Sequence, residues 1–315
     1  MLTRRQLRIK VMQCIYALIQ SREDSLDKQQ KFLKESIANS FSLYLLNMSL
    51  LRELQNRISN LSQYEAEKKL ESAPSDYPEA DRLSKNRLLN RIASNTELET
   101  EIKKRKLNHW YLHQDYVKIV YTNLIESELY DTYMRKPQVE FEEDKAFLIE
   151  AFRTIIAPND KIYDFFEDSN LTWVDDIPLV NTYIVKQLKK VTEKHPDAYF
   201  VPRLLKDKED MSYAKNLLSK TLLKNEELEI EISGKTPNWD KDRIADIDGI
   251  LLKMAICEFL YFPSIPERAT INEYLEIAKE YSTPKSSIFI NGILDKLVKE
   301  YKEDGRLKKA GRGLL

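Results

Sequence analysis

Glycine supplies only 6 of the 315 residues, about 2% where roughly 7% is average, and that scarcity narrows the choice of fold before any motif is read. Doubly wound sheets and phosphate-loop enzymes turn on glycine, so neither is expected. The hydrophobic pattern is helical. Leu7, Val11, Cys14, Ile15 and Leu18 follow the spacing of one apolar helix face, and Ile37, Phe41, Tyr44, Leu45 and Met48 continue in that style across 36–58. Further helical stretches are punctuated by Pro137, Pro158, Pro178, Pro196 and Pro202. The charged segment 61–83, with Pro74 and Pro78, reads as a flexible connection. Leu228 to Ile232 alternates like a strand but is short and isolated. The expected fold class is all-α.

A chain of this length buries roughly three quarters of its unfolded surface, so one core or two can form. Lys and Arg number 50 against 51 Asp and Glu, which argues against a uniformly basic coat and leaves room for a local basic patch. Cys14 and Cys257 each sit among apolar residues and make no disulfide framework, as suits a reducing compartment. The charge-free run Ser36 to Leu51 is shorter than the ~18 apolar residues of a membrane span, and no apolar segment follows the N-terminal arginines as in a secretory signal. A soluble cytoplasmic protein, with no membrane partner, is expected.

An internal repeat runs through the chain. With Glu143-Asp144 placed over Glu209-Asp210, Asn159 falls on Asn225, Trp173 on Trp239, Asp176 on Asp242 and Ile184 on Ile250 without a gap. Phe147 then meets Tyr213, Ile156 meets Leu222, Ile162 meets Leu228 and Phe166 meets Ile232. A fainter copy sets Asn95, Leu98, Ile102 and Asn108 over Asn225, Leu228, Ile232 and Asn238. Each Asn followed three residues later by Leu or Ile reads as a helix N-cap. Repeated helical units would then cover one another's apolar faces, although charged amphipathic helices also resemble one another by chance.

The N-terminal helix breaks a local rule. Thr3-Arg4-Arg5-Gln6 has the form of a capping box, with Leu2 and Leu7 as a hydrophobic staple. The helix therefore starts where Arg4, Arg5 and Arg8 stand, at the unfavourable positive end of the helix dipole. Arg4 and Arg8 also lie in line with Val11, Ile15 and Leu18, where a core helix would carry apolar residues. Such a conflict marks either a functional anion site, with phosphate the natural anion, or arginines paired with acids elsewhere in the chain.

In the C-terminal third, the 239–244 segment opens a helix running to about Phe262. A break follows at Pro263 to Pro266, and Thr270-Ile271-Asn272-Glu273 reads as a second capping box. Ser282 to Lys285 breaks that helix, and a last one runs through Phe289, Ile293, Leu297 and Tyr301. Gly292 inside it suggests a close helix crossing. The stretches 265–281 (IPERATINEYLEIAKEY) and 286–296 (SSIFINGILDK) resemble the C-terminal signature of the NusB family of transcription antitermination factors. The opening Arg4-Arg5 through Arg8 to Gln13 and Tyr16 is similar to that family's arginine-rich first helix, and Met211 to Glu258 also fits, with Tyr213, Leu217-Leu218, Asn225 and Trp239 in family-like places.

The resemblance implies an all-helical RNA-binding protein with no catalytic site, cofactor or metal. It implies a partner, the small-subunit ribosomal protein that doubles as NusE, and a ligand, the single-stranded boxA element of nascent RNA. Within the RNA polymerase antitermination complex, the two would support transcription of ribosomal RNA. Carried onto this sequence, the RNA-binding residues are Arg4, Arg5, Arg8, Tyr16, Lys285, Ser286 and Phe289; Phe289 fits a plain core position as well. Asp248 is the candidate for contact with the basic partner. The resemblance assigns 1–20 to the arginine-rich helix and 205–303 to the C-terminal helical core. Residues 21–204 become an inserted, partly duplicated helical region, and 304–315 a basic tail with Arg306, Lys308, Lys309 and Arg312, open to phosphate contact or simply solvated. A typical member is less than half this length, and Lys285 and Ile288 stand where others can carry an acidic and a basic residue.

Two other functions remain open at this point. One is the NusB-like domain that precedes ribosomal RNA cytosine methyltransferases, which needs a glycine-rich cofactor domain that should follow where this sequence stops. The other is a helical-repeat scaffold that binds only protein. Among lesser motifs, Gly234-Lys235-Thr236 lacks the earlier glycine of a phosphate loop. His109, His113 and Asp115 have metal-like spacing, but solvated or stacking roles fit them better. Lys103 to Lys106, beside Trp110 and Tyr111, is either a second RNA contact or a solvated helix face.

Overall fold

The computed structural model describes residues 1–21, 25–68, 81–233, 235 and 246–310. Pro74, Pro78, Gly234, Thr236, Asn238, Trp239, the 240–244 segment and Arg312, all singled out above, lie outside the described residues. The chain divides into two compact units, one made of Met1–Ile37 with Leu204–Leu315 and the other of Ala38–Arg203. Unit 1 opens with α1 (Arg4–Ser21) and the start of α2 (Leu26–Lys68). Unit 2 takes the rest of α2 and adds α3 (Arg87–Ala93), α4 (Thr96–Lys104), α5 (His109–Leu112), α6 (Gln114–Ile125), α7 (Glu128–Met134), α8 (Phe141–Ala151), α9 (Asp160–Ser169) and α10 (Ile177–Lys190). Unit 1 resumes with α11 (Glu209–Leu223), α12 (Asn225–Ser233), α13 (Asp246–Tyr261), α14 (Glu267–Tyr281) and α15 (Ser286–Glu303).

The fold is all-α. Among the described residues the nearest thing to a sheet is a single bridge between Leu2 and Leu205. The strand-like run Leu228 to Ile232 is the body of α12: Leu228 and Ile232, four apart, are its buried pair, while Ile230 is exposed, so the period that wins is 3.6 rather than 2. Of the connection expected over 61–83, residues 61–68 are instead the end of α2, and 69–80 lie outside the described residues.

In unit 1, α13 is the central element. Its residues from Ile250 to Phe259 are buried on nearly every side, as expected of a helix that is apolar all round. α1, α11, α12, α14 and α15 pack against it. Cys14 and Cys257 are both buried and free, and burial pushes each thiol up to about 12, which keeps them protonated and inert.

In unit 2 the long helix α2 anchors two tryptophans. Trp110 and Trp173 each donate the indole N–H to a backbone carbonyl of α2, at Leu46 (2.8 Å) and Asn39 (2.9 Å). The two acceptors are seven residues, about two helical turns, apart. The segments aligned in the sequence as copies correspond to α3, α4 and α6; α8, α9 and α10; and α11, α12 and α13. Asn95 and Asn159 cap α4 and α9 by accepting the N–H of Leu98 (2.8 Å) and Ile162 (3.2 Å). The third Asn departs from its expected capping role: α12 already includes Asn225, whose side chain accepts instead from Lys253 of α13 at 2.9 Å. Leu98, Ile162 and Leu228 are buried alike, as are the acids Asp144 and Asp210 that share a register position.

Three local readings are corrected. At the first capping box Gln6 accepts the Thr3 N–H at 3.0 Å, but the Thr3 hydroxyl donates to Gln6 rather than capping its N–H. Thr270-Ile271-Asn272-Glu273 is not a helix start. α14 begins at Glu267 after Pro266, so Thr270 is already helical, and both ends of the apparent box serve tertiary bonds described below. Nor does Gly292 mark a close crossing, since a Cβ placed there meets nothing within 4 Å. With the steric reason gone, Gly292→Ala is expected to stabilise the protein by up to about 1 kcal/mol through helix propensity. A urea-melt midpoint that falls instead would refute that reading.

Candidate nucleic-acid interface

Arg8, placed by the helical wheel among core positions, is in the core. Its side chain is 3% exposed and that of its partner Glu258 is 0% exposed. The guanidinium donates from Nε and Nη2 to the two carboxylate oxygens at 2.8 and 2.9 Å. Glu258 also accepts from Thr270 and Tyr274, each at 3.0 Å, and from Tyr213. Burial opposes the charge on Arg8, but Glu258 more than offsets this and leaves its pKa above the ordinary arginine value. Arg8 is therefore the cation of a buried, hydrogen-bonded cluster, not a phosphate contact as its position near the N-terminus suggested.

Arg4 and Arg5 differ from it in exposure. Arg4 donates Nε to Asp210 at 3.2 Å and Arg5 gives a bidentate pair to Glu273 at 3.0 Å, yet their side chains stay 42% and 37% exposed. Each keeps donors outside its short bonds: both Nη groups of Arg4, and Nη1 of Arg5, which is 3.9 Å from Glu276. All three arginines thus have carboxylate partners within unit 1, and only two present a face to solvent.

The remaining candidates gather elsewhere. α1 runs antiparallel to α13, since Arg8 bonds Glu258 near one end while Gln20 bonds Asp246 (3.2 Å) near the other. Tyr16, exposed, therefore lies toward the N-terminal end of α13. The loop before α15 is tied to that same end, because Asp248 accepts the Ser282 and Ser286 hydroxyls at 2.6 Å each. Lys285 is exposed and Phe289 half-buried beside it. Arg4 is twelve residues from Tyr16, about 18 Å along the helix. The exposed candidates thus fall in two groups.

Two assignments change. Asp248 is 5% exposed with both oxygens occupied, so it is a strut holding the loop rather than a surface acid for a basic partner. Ser286 is buried and spends its hydroxyl on that strut, so it shapes the loop and does not reach a ligand. Conversely, Ile19 and Ile288 are exposed at this end, Ile288 at 76%. The sequence signal for Ile288 was available: it lies off the stripe of Ile290, Ile293, Leu294 and Leu297 that faces the core. The basic tail is also less free than expected. Lys309 donates to the Glu258 and Phe262 carbonyls at the C-terminal end of α13, at 2.9 and 3.0 Å, and Arg306 pairs with Glu231.

The NusB family model matches residues 182–299. The curated "Transcription antitermination protein NusB" of Salinibacter ruber is 41% identical over 109 residues, 35% of this chain and 68% of that protein. The chain belongs to the NusB family. Proteins of the same name from Chloroherpeton thalassium (47% over 90 residues, 29% of this chain and 43% of the relative) and Clostridium kluyveri (42% over 94 residues, 30% and 60%) agree. The matches thus span 43% to 68% of the lengths of these relatives. No solved structure matches the chain. The NusB match includes Asp248, Glu258, the 282–285 loop and the start of α15, while α1 with its arginines lies outside it. Among the described residues no helix is long and apolar enough to cross a membrane.

Proposed function

We propose that this NusB-family chain is a transcription antitermination regulator that binds boxA-like single-stranded RNA together with the small-subunit ribosomal protein NusE, within an RNA polymerase antitermination complex, and that it acts without catalysis. The reading is supported above all by its 41% identity to a protein named for transcription antitermination over 68% of that protein's length. In this proposal bases stack on Tyr16 and Phe289 at the α13 end, beside the cation of Lys285, and the backbone reaches Arg4 and Arg5 along α1.

The test is fluorescence anisotropy of the full chain with a boxA-like RNA, with and without NusE. Tyr16→Ala should weaken binding about tenfold, the loss of one stacked base. Arg4→Gln with Arg5→Gln should reduce the steepness of the log–log salt dependence by about 1.4, at about 0.7 per phosphate on a single strand. Absence of binding with and without NusE, or wild-type affinity in both variants, would overturn the proposal.

A further inference from the structure

Outside the family match, unit 2 holds a cavity of about 480 Å³ between α2, α4 and the segment entering α5. Its size is that of a small-molecule site, and its lining is unusual in carrying donors that the protein itself does not use. Arg52, from α2, has a buried Nη1 with no hydrogen-bond partner, and its nearest carboxylate, Glu99, lies 3.7 Å from Nη2. Lys103 reaches Glu99 at 2.6 Å from the rim. Asn108 is exposed and makes no capping bond to α5. Tyr111, 77% exposed, presents an aromatic face at the mouth. Ile102 and Leu107 give the site an apolar wall.

Lys106 is the most informative of these residues. It sits at φ 57°, the sole positive φ of a non-glycine residue among those described. It ends α4 as the left-handed residue of a Schellman cap, in which Leu107 N–H bonds Ile102 C=O and Lys106 N–H bonds Lys103 C=O, both at 3.0 Å. Glycine is the residue this position favours. A lysine held there against backbone preference, on the lip of a cavity, sets a cation where fold stability alone would not. The rest of the basic run is already engaged: Lys104 pairs with Glu101, and Arg105 lies over the Phe41 ring and donates to Ser42.

The geometry points to a nucleotide-binding site in unit 2, with phosphate held by Lys106 and Arg52, a base stacked on Tyr111, and its edge met by Asn108. Arginine and lysine supply the phosphate donors, the tyrosine face supplies sequence-tolerant stacking, and the asparagine amide offers a donor and an acceptor. Glu99 competes with the phosphate for Arg52 and Lys103, so it sets the affinity rather than making it. The same chemistry is presented by a free nucleotide and by one residue of an RNA strand. The inference rests on the cavity and not on the antitermination reading.

The full chain is titrated with AMP and UMP, and separately with fluorescein-labelled ten-mers of A and U. Lys106→Gly should leave the fold as stable or more so in a urea melt while weakening binding about tenfold, a divergence that a structural lysine would not produce. Tyr111→Ala, at an exposed position, should weaken binding about tenfold as well, and Glu99→Gln should strengthen it several-fold. Mononucleotide binding that ten-mers do not improve identifies a free nucleotide, and binding seen with ten-mers alone identifies a strand. With 4-thiouridine ten-mers, cross-links mapping to 106–112 report this cavity, whereas cross-links at Tyr16 or 285–289 report the unit 1 interface, so each reading fails separately. Wild-type affinity in both Lys106→Gly and Tyr111→Ala, or no binding of any of these ligands, overturns the inference.

Discussion

Glu258→Ala is expected to remove about 3–5 kcal/mol of stability, because it leaves the Arg8 charge buried with its partner gone. In the native protein the carboxylate accepts two bonds from Arg8 and one each from Tyr213, Thr270 and Tyr274, all of them buried or nearly so. Alanine deletes every acceptor at once, and the cavity it opens is too polar to collapse onto apolar neighbours. The urea-melt midpoint should fall accordingly. A double variant, Arg8→Met with Glu258→Gln, should lose less than Glu258→Ala alone, since the charge is removed and an amide oxygen still receives the tyrosines. A single variant as stable as the wild type would show that the cluster does not hold α1 to α13.

The second large effect is expected in unit 2. Trp110 is 1% exposed, packs against Phe165 and Phe166 with ring centroids 4.9 and 5.9 Å away, and bonds the Leu46 carbonyl of α2. Trp110→Ala should cost about 3–5 kcal/mol through the cavity left behind. Trp110→Phe should cost visibly less, because most of the buried ring is retained and chiefly the bond to α2 is lost. Chemical denaturation of the full chain separates the two outcomes. Equal losses in both variants would mean that the indole N–H, rather than the packing, carries the contact. His109 and His113, for which the sequence favoured a solvated or stacking role over a metal, edge Phe165 in this same aromatic group.

Much of this architecture can be read from local pattern. The stripe of Leu7, Val11, Cys14 and Ile15 gives α1, and Asn95 and Asn159 announce two helix starts by the residues that follow them. Arg8 shows where such reading ends. Its position on the apolar face correctly signals a conflict, but its resolution, Glu258, lies 250 positions away in the sequence, and nothing local distinguishes a buried ion pair from an anion site. Thr270 and Glu273 illustrate the converse. Their spacing imitates a capping box, yet the hydroxyl turns to Glu258 and the carboxylate to Arg5, because Pro266 has already started the helix. Lys285 and Tyr16 came forward only through the family resemblance and are exposed, whereas the inward turn of Ser286 and Asp248 depends on a contact between separate elements.

Unit 1 is assembled from two separate stretches, Met1–Ile37 and Leu204–Leu315, with unit 2 a continuous stretch between them. On the ribosome, α1 therefore emerges long before α11 and α13, which cover it. At about 5–20 residues per second, the roughly 200 residues that separate them take on the order of 10–40 s to synthesise. For that interval the greasy flank of α1, with Arg8 still lacking its counter-charge, is nascent surface that a chaperone can hold, while unit 2 has all its own sequence in hand and is free to fold first.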